Sequence, residues 1–153
     1  MAFEQLVLRH QDRLLTFLAA RLGRRADAQD AIQSAFVAAW RYRRSYKPRF
    51  RFSTWLYRIA LREGARLAKP DRAGEPVPDL AAGRDPAADS DDLWSRARDL
   101  LGGEAFDVLW LYYHEDWPVS QIAQSVSRSR AWVKITLHRA RGRLKKHLNP
   151  EDW

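Results

Sequence analysis

One stretch of this chain cannot build a hydrophobic core, and it separates two stretches that can. Residues 70–92 contain four prolines, two glycines and a run of Ala and Asp, with seven acidic against two basic residues. Low hydrophobicity, helix breakers and a net charge of −5 are typical of a linker rather than of a packed unit. The sequence therefore predicts two small folded units, 1–69 and 93–153, joined by an acidic flexible linker.

Both predicted units are basic, in contrast to the linker between them. Residues 1–69 carry a net charge of +10 and residues 93–153 carry +3, which leaves the whole chain at +8. A basic surface attracts polyanions, and nucleic acid is the commonest polyanionic partner of a soluble protein. A charge that serves solubility alone is the alternative interpretation.

Several classes of protein are disfavoured by what the sequence lacks. There are no cysteines, which excludes disulfide frameworks, thiolate metal sites and cysteine nucleophiles. The four histidines show no i, i+4 pair, so we expect no metal site. Charged residues interrupt every apolar stretch near the start, so we expect neither a signal peptide nor a membrane span, and a cytoplasmic protein.

The first unit shows helical periodicity in three segments. The first segment ends at Gly23, the second begins near Asp27 as a predicted N-cap, and the third begins near Ser53 or Thr54. No segment of the chain alternates with the period of two that a half-buried strand requires. The expected fold class is therefore all-α, with three helices in the first unit.

The second unit ends with a pattern typical of DNA-binding proteins. Two helices separated by Gly102-Gly103 are followed by a short helix, a three-residue turn and a long basic helix. Pro118 is predicted as the first residue of the short helix, and Ser129 as the cap of the long one. This is the geometry of a helix-turn-helix, whose second helix enters the major groove of DNA.

The long basic helix is predicted to have an apolar side and a DNA-reading side. Apolar residues at steps of four, three and four are expected to face inward: Val133, Leu137, Ala140 and Leu144. The candidate DNA-reading residues lie on or beside the opposite face: Arg130, Lys134, Ile135, His138, Arg139 and Arg141. Cationic side chains can donate to guanine or phosphate, whereas isoleucine can only make apolar contact, for example with a thymine methyl. A solvated basic face is the alternative.

A second basic surface is predicted around the start of the third helix. Residues 45–52 interleave cations with aromatic residues, a composition suited to unstacked bases of single-stranded DNA. Arg58, Arg62 and Arg66 follow at steps of four, with Lys69 three residues later, so they should form one stripe. Phe50 and Phe52 could instead belong to the core, and a core position is favoured for Trp55.

Three segments, in this order, resemble motifs of the extracytoplasmic-function sigma factors of the sigma-70 family. Residues 27–41, DAQDAIQSAFVAAWR, resemble the polymerase-binding helix of that family. Residues 52–60, FSTWLYRIA, resemble the start of its −10-reading helix, and residues 133–141, VKITLHRAR, its −35 recognition helix. Each motif alone is modest evidence, but their order around an acidic, Pro-rich linker makes the resemblance specific.

The resemblance implies a function and a set of site residues. Residues 1–69 would be a three-helix region-2 domain and 93–153 a region-4 helix-turn-helix domain of a sigma factor. Such a protein binds core RNA polymerase and directs promoter-specific initiation at −10 and −35 elements. The implied polymerase-binding residues are Asp27, Asp30, Gln33, Phe36 and Trp40. The side chains implied to contact the −10 element are Tyr46, Lys47, Arg49, Arg51, Ser53, Arg58, Arg62 and Arg66.

The chain departs from the family pattern at positions that bear on DNA recognition. Ser127 stands where the turn usually has Gly, and Arg128 where it usually has an apolar residue. Ile135-Thr136 replaces the usual Ser-Arg, so the −35 sequence of relatives does not carry over. Because of Ser127 and Arg128 in the turn, the helix-turn-helix is expected to pack less tightly or at a shifted angle.

The implied partners are core RNA polymerase, promoter DNA and a regulator, either an anti-sigma factor or an activating kinase. No cofactor, membrane insertion or enzymatic activity is expected. The alternative function is that of a stand-alone helix-turn-helix transcriptional regulator. A nucleic-acid hydrolase is disfavoured, because the sequence shows no carboxylate cluster, metal pair or nucleophile–base set.

Overall fold

The structure is a computed structural model that describes residues 2–67 and 88–148, with side chains described over 2–67 and 93–148. Within these ranges the chain forms helices and no strand, which confirms the predicted all-α class. The helices are α1 (Ala2–Leu22), α2 (Arg25–Arg41), α3 (Phe52–Leu67), α4 (Ala88–Leu101), α5 (Gly103–Tyr113), α6 (Val119–Val126) and α7 (Arg130–His147), with a short 3-10 helix at Arg43–Ser45.

The turn between α1 and α2 differs from the sequence prediction at one end. Gly23 has a φ of 78° and ends α1 as predicted. This is a left-handed conformation that glycine adopts at little cost. The prediction of Asp27 as the N-cap of α2 is wrong, because Arg24 has the extended backbone of the cap and the helix begins at Arg25. Asp27 instead lies in the first turn, where a carboxylate interacts favourably with the helix dipole.

Helix α3 also begins earlier than its capping residues suggested. It starts at Phe52, so Ser53 and Thr54 lie inside its first turn and neither is its N-cap. The ring of Phe52 packs at 5.5 Å from those of both Tyr46 and Trp55. This aromatic contact stabilises the first residue of the helix without a polar cap.

The second unit begins within the segment assigned to the linker. Helix α4 starts at Ala88, five residues before the predicted boundary at 93, so residues 88–92 are helical. An acidic sequence is compatible with a first turn, because the free amides there carry partial positive charge. The rest of the predicted linker, up to residue 87, lies outside the described residues, as do residues 149–153.

The helix-turn-helix has the predicted elements with one shift. Pro118 has an extended backbone and is the N-cap of α6, not its first helical residue. Helix α6 is closed by Ser127, and the turn leads to Ser129, whose hydroxyl accepts from the Trp132 amide at 3.0 Å. The predicted capping role of Ser129 is therefore confirmed.

The two units share one hydrophobic core, which the sequence analysis did not anticipate. Phe17 of α1 lies 5.8 Å from Trp110 of α5, between ring centroids, and both rings are buried. Tyr57 of α3 lies 4.9 Å from Trp117, which precedes α6. Helices α1 and α3 therefore pack directly against α4, α5 and α6.

A buried ion pair crosses the contact between the units. Arg21 Nε donates to Asp107 Oδ1 at 2.8 Å, and both side chains are largely shielded from solvent. Burial raises the pKa of Asp107 to about 6, since the loss of water outweighs the favourable charge of Arg21. The folded chain therefore binds this proton at a pH where the unfolded chain has released it.

We expect Asp107 to make the folded chain less stable as pH rises from about 4 to about 7. Between the ordinary carboxyl pKa of 3.8 and the folded value of about 6, the folded state holds the extra proton, so stability falls with rising pH. The shift corresponds to about 3 kcal/mol. Asp107→Asn should remove this component, which urea unfolding at several pH values across that range would measure.

The matched control for this prediction is Asp99→Asn, which neutralises a carboxylate whose side chain is 75% exposed. It should keep the pH dependence of the wild type. If Asp107→Asn also keeps that dependence, burial does not control the proton affinity of Asp107.

Candidate nucleic-acid and polymerase-binding surfaces

Helix α7 presents one buried and one exposed face, as its periodicity predicted. Val133, Leu137, Ala140 and Leu144 are all buried against the rest of the second unit. On the opposite side, five candidate DNA-reading residues are exposed: Arg130, Lys134, Ile135, His138 and Arg139. Ile135 is 51% exposed, so its apolar side chain is accessible for the contact with a thymine methyl that the sequence predicts. The role of these side chains in DNA binding stays a prediction.

Arg141 differs from the other candidate residues of α7. Its Nε donates to the hydroxyl of Tyr113 on α5, and its guanidinium lies 5.5 Å from the rings of both Tyr112 and Tyr113. Arg141 is half-buried. Its side chain is thus held against α5, whereas the sequence placed it on or beside the outer face.

The turn of the helix-turn-helix accommodates both unusual residues. Ser127 adopts the left-handed conformation, with φ of 58°. Glycine would avoid the cost of this conformation, which is about 1–2 kcal/mol for other residues. Arg128 Nη2 donates to both carboxylate oxygens of Glu104, at 3.1 and 3.0 Å, and its guanidinium lies 4.9 Å from the Trp132 ring. Arg128 therefore links the turn to α5 and α7, in place of an apolar packing contact.

The basic stripe of α3 is exposed as predicted. Arg58, Arg62 and Arg66 all lie on its solvent side, and Arg66 pairs with Glu63 at 3.0 Å. The fourth predicted member, Lys69, lies outside the described residues. Lys47, Arg49 and Arg51, in the segment before α3, are also exposed. The described cations predicted to contact the −10 element are thus all exposed, and their contact with DNA stays a prediction.

The aromatic residues of this region pack on one another. Tyr46 contacts Phe52 and Trp55, each at 5.5 Å between ring centroids, and its hydroxyl donates to the Phe50 carbonyl at 2.8 Å. Phe3 of α1 adds an edge contact to Phe52. Tyr46, Phe52 and Trp55 are all half-buried, so part of each ring serves as packing.

His10 joins the same cluster and lies beside basic groups. Its ring lies 5.8 Å from that of Phe52. Burial and the neighbouring Arg13 and Arg9 lower the pKa of His10, although Glu115 acts in the opposite direction. His10 is therefore neutral at pH 7 and adds no positive charge to this region.

The predicted polymerase-binding residues lie along α2. Asp30, Gln33 and Trp40 are exposed, whereas Asp27 and Phe36 are half-buried. The Trp40 side chain is 44% exposed, with the Arg43 guanidinium 4.0 Å from its ring centroid. This face carries polar, acidic and aromatic groups at helical spacing.

Two further exposed apolar residues extend this face and were missed from the sequence. Val37 is 60% exposed and Tyr42 is 55% exposed. Val37 lies one turn after Gln33 on the same side of α2, so helical spacing from Gln33 could have identified it. Apolar side chains left exposed beside polar ones are typical of a protein-binding surface.

A buried carboxylate between the two units was also missed. Glu115 follows α5, and its side chain is 1% exposed. It accepts from Arg13, from the Tyr57 hydroxyl at 3.2 Å and from Trp110 Nε1 at 3.4 Å. Burial and the Glu115 charge raise the pKa of Tyr57, which therefore remains a donor. Arg13 is 102 residues away in the chain, so no local pattern reveals this cluster.

The described part of the chain has neither a membrane-spanning helix nor a cluster of metal ligands. None of the helices there combines the length and apolarity needed to span a bilayer. Likewise, the described side chains of residues 2–67 and 93–148 bring together no group of three or more potential metal ligands.

One known protein family matches the first unit of this chain. The family described as Sigma-70 region 2 matches residues 6–68. CarQ, an RNA polymerase sigma factor of Myxococcus xanthus, is 29% identical over 155 residues, covering 96% of this chain and 89% of CarQ. The ECF RNA polymerase sigma-E factor of Haemophilus influenzae is 31% identical over 99 residues, or 65% of this chain and 50% of that protein.

A further relative matches a shorter segment. The RNA polymerase sigma-H factor of Pseudomonas aeruginosa is 38% identical over 60 residues, which are 39% of this chain and 31% of that factor. The matched part of this chain thus spans about a third of the Pseudomonas protein and half of the Haemophilus one.

Solved structures resemble the whole described fold. CnrH, solved in complex with the cytosolic domain of CnrY, superimposes with a TM-score of 0.76 at 26% identity, covering 96% of this chain and 87% of CnrH. The sigma factor RpoE of Bartonella quintana, solved with the anti-sigma factor NepR, gives a TM-score of 0.79 at 20% identity, covering 95% of each chain. At that identity the second comparison bears on the fold alone.

Proposed function

Since this chain belongs to the extracytoplasmic-function sigma factors of the sigma-70 family, we propose that it binds core RNA polymerase and directs it to promoters. In this role α3 and the segment before it recognise the −10 element, and α7 recognises the −35 element. The chain itself provides binding rather than catalysis, and it acts where polymerase and DNA are, in the cytoplasm.

The observation that carries this proposal is the separation of buried and exposed faces on α7. Its apolar side chains are fixed in the core, while Lys134, Ile135 and Arg139 project to solvent after a helix-turn-helix turn. A helix supported in this way can insert its outer face into the major groove without disturbing the core. Lys134 and Arg139 then donate to bases or phosphates, and Ile135 makes apolar contact.

The exposed face of α2 supports the polymerase-binding part of the proposal. Trp40 and Val37 present apolar surface on the side of α2 that also carries the carboxylate of Asp30, two to three turns earlier. An aromatic residue surrounded by polar groups is a frequent centre of a protein interface.

We further propose that a protein of the anti-sigma kind restrains this chain, because CnrH, which is 26% identical to it, was solved in complex with another protein, the cytosolic domain of CnrY. Activation by a kinase is the alternative form of control.

The proposal predicts that purified chain will add promoter specificity to core polymerase. Core enzyme with and without the chain is mixed with genomic DNA, and the 5′ ends of the transcripts are sequenced. We expect a set of start sites that appears only with the chain and shares upstream elements near −10 and −35. Failure to co-elute with core and to direct any specific transcript would contradict the proposal.

The same preparation tests the stand-alone regulator. Such a regulator would protect specific DNA from cleavage in the absence of polymerase. A footprint that needs core polymerase supports the sigma factor, whereas an equally strong footprint without it supports the regulator.

A further inference from the structure

A cavity of about 380 Å³ lies between α1 and α4, and its described lining includes none of the residues predicted to bind DNA or polymerase. Helix α1 contributes Ala19 and Ala20 to it, and these small side chains leave space that Trp94 of α4 does not fill. Pockets that bind small molecules have volumes from about 300 Å³ upward. The cavity is therefore large enough for a small ligand.

Two arginines, Arg25 and Arg98, add positive charge to this cavity. The Arg98 guanidinium is held in place, since it donates to the Ala20 carbonyl and to the Ser95 hydroxyl, each at 3.1 Å. It also packs over Gly23, where an added Cβ would lie 2.9 Å from Arg98 Cζ. A guanidinium fixed in this way loses little side-chain freedom when it binds an anion.

The fixed guanidinium still has hydrogens to donate. Each terminal nitrogen of an arginine carries two, and in Arg98 one hydrogen of each is used within the chain. Asp99 lies 3.7 Å from Nε, the remaining nitrogen. Ser95 accepts from Arg98, so its own hydroxyl hydrogen is available. Arg25 is exposed and has no hydrogen-bond or ion-pair partner among the described residues. The cavity thus offers an anion several donors and two positive charges.

The charge and the aromatic lining together indicate the class of ligand. A phosphate monoester carries close to two negative charges at pH 7, and arginine binds phosphate through paired hydrogen bonds. Trp94 and Trp110 both line the cavity. Trp110 is buried, with the His114 ring stacked on it at 3.9 Å, whereas Trp94 is partly exposed and can contact a flat ring. A nucleoside monophosphate combines these two features in one small molecule.

We propose that this chain binds a nucleoside monophosphate in the cavity between α1 and α4, with the phosphate on Arg25 and Arg98 and the base against Trp94. The inference concerns a small-molecule ligand and does not rest on the proposed function. Since α1 and α2 belong to the first unit and α4 and α5 to the second, the bound molecule contacts both. A ligand that binds only the folded chain also stabilises it.

Calorimetric titration of the full chain tests the proposal, with the four ribonucleoside 5′-monophosphates as probes. Inorganic phosphate and the four nucleosides are titrated separately. We expect at least one nucleotide to bind at least tenfold more tightly than phosphate or its own nucleoside, because it alone contacts both the arginines and the aromatic side chain. If no nucleotide binds, or if phosphate binds as tightly as the best of them, the proposal is overturned.

Arg25→Gln tests whether the nucleotide occupies this cavity. Charged hydrogen bonds are worth about 1.5–3 kcal/mol, so the variant should bind the nucleotide about tenfold to 100-fold more weakly. The matched control is Arg41→Gln, which makes the same charge change at an exposed position at the other end of α2. It should leave the affinity unchanged. Equal weakening by both variants would show only a general attraction of anions to a basic chain, and would contradict the proposal.

Filling the cavity is an independent test that leaves the arginines in place. Ala19→Leu puts a larger side chain into the cavity and should abolish nucleotide binding, whereas Ala65→Leu makes the same enlargement at an exposed position of α3 and should not. Urea unfolding without nucleotide shows whether each variant is folded. Added nucleotide should raise the unfolding midpoint of the wild type and of Ala65→Leu, but not that of Ala19→Leu.

A folded Ala19→Leu variant that binds the nucleotide as tightly as the wild type would place the ligand elsewhere and overturn the proposal. If Ala19→Leu does not fold, the comparison of Arg25→Gln with Arg41→Gln decides. None of these measurements uses polymerase or promoter DNA, so a failure of the proposed function would leave their outcome unchanged.

Discussion

Replacing Lys134 and Arg139 together by alanine is expected to abolish use of promoters that depend on a −35 element, while binding to core polymerase is retained. Both side chains are exposed on the outer face of α7, away from the core. Each lost base contact costs about 1–3 kcal/mol, so the pair should weaken promoter binding by about 30-fold to 10⁴-fold. Binding of the holoenzyme to a labelled promoter fragment would measure this.

The control for this variant is Lys145→Ala/Lys146→Ala. It removes the same charge from exposed positions near the end of α7, beyond the predicted reading residues. General electrostatic attraction to DNA would make the two double variants equally weak. Equal losses of promoter affinity would thus contradict a specific role for Lys134 and Arg139. A loss of polymerase binding would instead indicate that the helix had unfolded.

Replacing Trp40 by alanine is expected to have the opposite effect. Binding to core polymerase should be largely lost, while helix α7 and its exposed face should stay intact. Trp40 is the largest exposed apolar side chain on α2, and contacts with Phe3 and Arg43 hold its ring in place. A preorganised tryptophan at the centre of an interface contributes about 2 kcal/mol or more, which corresponds to about thirtyfold weaker binding. A titration of labelled core polymerase would measure it.

Leu8→Ala is the matched control for Trp40→Ala. Leu8 is 64% exposed on α1. It follows Phe3 by five positions and so lies on a different side of that helix. The variant should leave polymerase affinity unchanged. If Trp40→Ala binds core polymerase as tightly as the wild type while its fold is unaltered, the exposed face of α2 is not the polymerase-binding surface.

Local sequence patterns predicted the elements of this fold better than their ends. The inward positions of α7 followed from spacing, because apolar residues that recur at steps of four, three and four lie on one face of a helix. Capping was less predictable. At α3 the aromatic packing of Phe52 replaces a polar cap, and Ser53 instead accepts a hydrogen bond from Gln121. Such tertiary contacts override local capping preference.

The contact between the units lay beyond sequence reasoning for a physical reason. An acidic, Pro-rich segment indicates only that this segment has no core, and it gives no information about whether its neighbours pack together. The residues that join the units are far apart in the chain: Arg13 with Glu115, and Arg21 with Asp107. Each appears locally as an ordinary surface charge, and only the folded chain brings them together.

The shared core also has a consequence for the order of events during synthesis. Phe17 and Tyr57 leave the ribosome before Trp110 and Trp117, the rings that cover them. Trp117 follows Leu67, the last residue of α3, by a stretch of chain that takes about 3–10 s to synthesise. For that interval the apolar side of the nascent first unit is without its natural cover. That surface is accessible to other proteins until the second unit has been synthesised and packs against it.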